Sequence, residues 1–224
     1  MFTEESIARF SIQFLPFVVA VVFHEYAHGW VANRWGDKTA EEQGRLTLNP
    51  AVHVDPIGTI ALPVILMLAQ SSVFFGWAKP VPIDPSRFRK FRPGLFFVSI
   101  AGVSMNFLLA VLSAAIVCAL HLWMPQDFYL QEPLIQMAMV SIYINYALGL
   151  FNLIPIPPLD GSKVIESILP YEAARKYEQI SQYGMMILMV LALTGGLAIL
   201  WPPIKFMGDL TLSLMAMLFS LPQS

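Results

Sequence analysis

Apolar residues fall along this chain in long runs separated by short polar stretches, a pattern that predicts helices able to cross a bilayer. The first run covers residues 10–32, with Pro16 early in it. Twenty-odd helical residues reach about 30 Å, the thickness of a hydrocarbon core. Residues 33–56 are polar and turn-rich, and within them GRLTLNP alternates like a short strand that Pro50 ends. A second apolar run, 57–75, is shorter and is interrupted by Pro63, Gln70 and two serines. Residues 95–120 and 134–154 predict two further spans, and 183–200 with 206–221 a last pair separated by Trp201-Pro202-Pro203. The expected fold is an all-α polytopic membrane protein with a short β element between the first spans. It has about five transmembrane helices plus a re-entrant segment at 57–75. No repeat or flexible linker divides it, so residues 1–224 read as one membrane-embedded domain, with a core at 10–163 and a C-terminal helical pair at 183–221.

Composition agrees with the pattern. The chain has 224 residues, a mean hydropathy of +0.64, 57% hydrophobic residues and 12% charged ones. A soluble domain carries roughly twice that charged fraction. A net charge of -2 gives no general attraction for nucleic acid. The basic stretch 87–92, with Phe88 and Phe91, suits anionic lipid headgroups better than RNA. Cys118 sits in an apolar run and reads as a small buried hydrophobe. Glu4 and Glu5 stand where a secretory signal would be basic, so the N-terminus reads as part of the domain.

Charge also suggests a topology. Lys79, Arg87, Arg89, Lys90 and Arg92 crowd the 76–94 loop, whereas 121–133 carries Asp127 and Glu132 and no Lys or Arg. Basic loops stay cytoplasmic, so 95–120 runs outward and 134–154 inward. If the first span runs inward, 57–75 must return without a net crossing, which is the re-entrant reading. A full crossing is the alternative, and it would set the first span's polar residues and Asp160 toward opposite faces.

The chemistry begins at FHEYAHGW, which places His24, Glu25 and His28 in an otherwise apolar helix. Positions i and i+4 share a helix face, so both imidazoles can reach one ion with a carboxylate beside them. That HExxH spacing is how zinc peptidases carry two ligands and a general base. A polar pair satisfied by neighbouring helices is the plain alternative. Ionisable groups in a span are costly unless something pairs them, and this favours a metal. A catalytic zinc takes three protein ligands, and Asp160, in PPLDGSK after a proline-stopped span, is the best third candidate. His53 and Asp55, in NPAVHVDP, are further candidates, for which turn capping and supporting hydrogen bonds are equally good roles. His121, beside the acidic loop, reads as an interfacial histidine.

HEYAHGW, GRLTLNPAVHVDPIGT, FGWAKPVPID, AGVSMNFLLA and FNLIPIPPLDGSK together resemble the site-2 protease family of intramembrane zinc metalloproteases. The likeness is to its compact prokaryotic branch without a PDZ domain, and it runs from residue 20 to 163. The resemblance implies one Zn2+ per chain held by His24, His28 and Asp160, with Glu25 as the catalytic base. It places Asn152 near the catalytic centre and Asn106 in a small-residue helix motif packed against it. Two positions depart from the family pattern. Val103 stands where proline usually follows Ala-Gly, and Gly161-Ser162-Lys163 stands where the family usually reads Gly-Gly-Arg or Gly-Ser-x.

The substrate implied is a membrane-protein or signal-peptide-like helix in a lipid bilayer, with no nucleic acid and no required protein partner. The site should face the cytoplasmic side of the cell membrane. A substrate helix must unwind before cleavage, and Leu46, Thr47 and Leu48 of the expected strand could pair with it. A non-proteolytic membrane zinc-binding, transport or helix-binding protein is the rival reading. Glu25 argues against it, because neither transport nor helix binding needs a base between ligands.

Overall fold

The structure is a computed structural model that describes residues 4–69 and 76–220. Eight α-helices make up most of it: α1 Glu4–Trp35, α2 Thr39–Glu42, α3 Leu62–Leu68, α4 Phe91–Trp123, α5 Gln131–Asn152, α6 Asp160–Ile168, α7 Tyr171–Leu193 and α8 Trp201–Leu218. Three of these, α1 from Ile7, α4 and α5, are long and apolar enough to cross a membrane.

Alanines set how closely the spans pack. Ala110, Ala114 and Val117 of α4 meet Ala138, Ile142 and Tyr146 of α5, and Ile204 of α8 closes the group. Small side chains let helix backbones approach where lipid supplies no hydrophobic drive for association. A second cluster, Ala32, Phe88, Leu95 and Val98, joins the end of α1 to the start of α4. There the Arg89 amide donates to the Trp35 carbonyl at 2.8 Å. The C-terminus of α1, the N-terminus of α4 and the C-terminus of α5 therefore lie at one end of the bundle. That end is the basic one.

Two features differ from the sequence expectation. No strand occurs among the described residues, and 44–48 is an irregular segment that leaves a turn at Gly44 and bends at Leu46 and Thr47. The alternation in GRLTLNP is real, but a strand needs a partner ladder. Here the Arg45 and Leu46 amides donate to Ala40 O, and the Thr47 carbonyl accepts from the His53 ring at 2.8 Å. The five expected spans also reduce to three or four. Ser181–Leu193 and Gly196–Leu218 are bent by 83° at a short break, so together they make one broken or re-entrant span at most. The break falls at Gly195, whose φ of 75° is left-handed, while Pro202 and Pro203 sit in the first turn of α8. Proline is well placed there because the first turn's N–H groups have no helical partner. The 57–75 segment begins as a π-helical turn, Pro56–Ala61, and continues as α3. Its thirteen apolar helical residues, Pro56–Leu68, reach only about 20 Å, short of the hydrocarbon thickness. The remainder, 70–75, lies outside the described residues.

Gly195 has open space around its Cα, so a side chain there meets only a conformational penalty. Gly195→Ala is expected to cost about 1 kcal/mol, with Gly195→Asn milder. A melting temperature in detergent that falls by a few degrees for alanine, and less for asparagine, checks this.

Candidate metal centre

His24 and His28 lie one turn apart on α1, and Asp160 is the first residue of α6. The turn before α6 brings that carboxylate back beside α1. Gly161 makes the return possible: a Cβ there would run into the backbone of Leu153 and Ile154. The helix N-terminus also favours a carboxylate in its first turn.

The three side chains converge. His24 Nε2 and His28 Nε2 are 3.0 Å apart, and Asp160 Oδ2 lies 3.2 Å from each. His24 Nδ1 is 2.6 Å from Asn106 Oδ1, and His28 Nδ1 is 2.7 Å from the Val98 carbonyl. Both of those oxygens can only accept, so each Nδ1 carries the hydrogen and each Nε2 keeps its lone pair. The buried Asp160 Oδ2 has no hydrogen-bond donor either. Three lone pairs thus face one another in an apolar bundle, which is unfavourable unless a cation sits among them. Four-coordinate zinc with nitrogen ligands near 2.0 Å has ligand–ligand edges of about 3.3 Å, close to the separations found here. The donor set fits zinc.

Room for the pair comes from α4. A Cβ at Gly102 would overlap His28 Nε2 and the His24 ring, so α4 can lie against the two imidazoles only with glycine there.

Glu25, between the two histidines, is held from the opposite side. Its Oε2 accepts from the Val81 amide at 2.7 Å. Pro80 and Pro82 have no N–H, so Val81 offers the only backbone donor in that stretch. The stretch is itself anchored: Arg45 Nη2 donates to the carbonyls of Lys79 and Pro80 at 3.0 and 3.2 Å, and the Lys79 amide donates to His53 O at 2.8 Å.

The other sequence candidates take different places. His53 is buried, with its ring nitrogen on Thr47, and it braces the loop rather than joining the ligand group. Asp55 caps the π turn, accepting from the Ile57 and Gly58 amides at 3.0 and 2.7 Å. Leu46, Thr47 and Leu48 form part of the bent segment braced by His53. Asn152 ends α5 and donates to Leu148 O at 3.0 Å. His121 bonds its own helix at Val117 O. Asn145, fully buried and hydrogen-bonded to Asn106, was not among the sequence candidates. An asparagine inside an apolar span was the signal that marked it.

The profile of peptidase family M50 matches residues 122–194, a stretch that includes Asp160. YwhC of Bacillus subtilis is 38% identical over 92% of this chain and 91% of its own length. Rip2 of Mycolicibacterium smegmatis is 30% identical over 80% of this chain and 66% of its own. Rip2 of Mycobacterium tuberculosis is 29% identical over 79% and 64%. All three are named provisionally as zinc metalloproteases. The chain belongs to peptidase family M50. It is a zinc metalloprotease of the site-2 protease type, with Zn2+ as its cofactor. No solved structure matches it.

Gly102→Ala is expected to push α4 away from the imidazoles and cut zinc content from one per chain to well below half. Metal analysis of the purified variant, alongside its helical circular dichroism, checks that.

Proposed function

We propose that this chain hydrolyses peptide bonds in or near the transmembrane segments of other membrane proteins. His24, His28 and Asp160 would hold the zinc, and Glu25 would be the general base. The observation that carries the assignment is the convergence of two imidazole Nε2 atoms and one carboxylate oxygen within 3.2 Å of one another, next to Glu25.

A zinc bound there would bring a water to a pKa near neutral and polarise the scissile carbonyl. Glu25 takes the proton from the attacking water and returns it to the leaving amine. Val81 fixes one carboxylate oxygen, leaving the other for that exchange. Asn152 spends one amide hydrogen on Leu148 and keeps a second, which makes it a candidate donor to the developing oxyanion. His28 lies seven residues before the end of α1, about 10 Å along the helix, so substrate must bring its bond below the headgroup level. A helical substrate hides its carbonyls in its own hydrogen bonds, and weak helix formers near the scissile bond favour the unwinding required.

We place the site toward the cytoplasmic side of the cell membrane. Arg34, Lys38, Arg87, Arg89, Lys90 and Arg92 are exposed at the end of the bundle nearest the three ligands, and Asp127 and Glu132 lie at the other.

Glu25→Gln is expected to lower cleavage of a synthetic transmembrane-helix substrate by at least about a thousandfold while zinc stays at one per chain. Loss of zinc along with activity would assign Glu25 a structural role instead. For orientation, Lys90→Cys in a Cys118→Ala background should react with a membrane-impermeant maleimide only after the cytoplasmic face is opened. Labelling of intact cells would reverse the topology.

A further inference from the structure

We propose that Asn145 is a positioning residue for the metal centre: through Asn106 it dictates which nitrogen of His24 faces the zinc. The inference rests on His24 being a ligand, as proposed above.

The argument is one of direction along a hydrogen-bond chain that crosses three helices. It starts on α5 at the Ser141 backbone carbonyl, which can only accept. The Asn145 amide nitrogen lies 2.9 Å from that carbonyl, and 3.2 Å from Ser141 Oγ. The NH2 of Asn145 must therefore point back along α5, which turns its Oδ1 toward α4. That oxygen in turn can meet only the NH2 of Asn106, and it does so at 2.9 Å. The second hydrogen of the Asn106 amide has a backbone acceptor too, Ala20 O of α1 at 3.4 Å. With its nitrogen committed, Asn106 presents Oδ1 to His24 Nδ1 at 2.6 Å. That ring nitrogen must carry the hydrogen, and Nε2 keeps the lone pair that faces His28 and Asp160. A backbone carbonyl fixed by a helix thus sets a histidine tautomer two side chains away.

Burial makes the direction binding. Asn106 and Asn145 are each 0% exposed, so no water can satisfy a flipped amide. A flip of Asn145 would set oxygen against the Ser141 carbonyl and nitrogen against nitrogen at Asn106. Both would leave polar atoms unpaired in an apolar bundle. The chain continues to Ser113, whose Oγ lies 2.8 Å from Ser141 Oγ. That last contact does not set the direction, because the Ser141 carbonyl is fixed by its helix without it. Outer hydrogen bonds of this kind orient ligating imidazoles and typically alter metal affinity by about 10–100-fold.

The alternative is that Asn145 only ties α4 to α5. Zinc affinity by chelator competition, the visible spectrum of the Co2+-substituted protein, and the melting temperature, all on the full chain in detergent, separate the two. Asn145→Leu keeps the branched outline and the number of side-chain heavy atoms but removes both hydrogen bonds, and is expected to weaken zinc binding about 10–100-fold and shift the Co2+ bands. Asn145→Ala is expected to do the same and serves where the leucine variant does not fold. Asn145→Asp should restore near wild-type affinity. A buried carboxylic acid stays neutral, donates to Ser141 O and accepts from Asn106. Ser113→Ala should leave affinity unchanged. Asn145→Leu and Asn145→Ala binding zinc within threefold of wild type, with only the melting temperature lowered, would overturn the inference. His24→Ala is the separate control. If it binds zinc as wild type does, the ligand assignment fails and the positioning role with it.

Discussion

Three lone pairs facing one another inside an apolar helical bundle are the constraint on which the rest of this structure turns. Bringing His24, His28 and Asp160 to within 3.2 Å in such surroundings is costly unless a cation sits among them, and each imidazole needs a partner on its far side to point inward. The α4 helix supplies most of that support. Its Val98 carbonyl and Asn106 amide take the two Nδ1 atoms, and Gly102 lets its backbone lie against the rings between them. The small alanines further along the same helix then bring α5 close enough for Asn145 to reach Asn106. Packing and site chemistry share one set of residues.

The loop between α1 and α4 solves the complementary problem of Glu25, the proposed base. Glu25 needs to be held without being neutralised. A single backbone amide, flanked by prolines that can offer no other, does this. Arg45 and His53 fix the position of that amide by gripping the carbonyl and the N–H of Lys79. Polar residues in NPAVHVDP therefore act at a distance from the metal, through the backbone they brace. Asp55, which caps the π turn, belongs to the same scaffold.

Much of the site was legible because its residues are chemically conspicuous. Two histidines and a glutamate in an apolar run have few stable uses, and a proline-stopped span ending in Asp-Gly marks irregular backbone that must line protein. The spans α1, α4 and α5 followed from run length. The C-terminal region was harder: its hydropathy suggested two spans divided at the prolines, whereas the chain turns at Gly195. Proline suits the first turn of a helix as well as a break, and hydropathy does not distinguish them. The supposed strand at 44–48 failed for a related reason, since alternation describes a local preference while a strand requires a ladder partner.

The sequence alone determined the kind of protein this is and singled out the residues that would supply its donor atoms. Those follow from residue type, helical spacing and charge, which are local properties. Only the tertiary structure decided that Asp160 closes on the histidines, that His53 and Asp55 serve the loop, and that Asn106 stands hydrogen-bonded between Asn145 and His24. Each of these joins side chains far apart in the chain, and the direction of a hydrogen bond between them depends on which atoms the folded helices bring face to face.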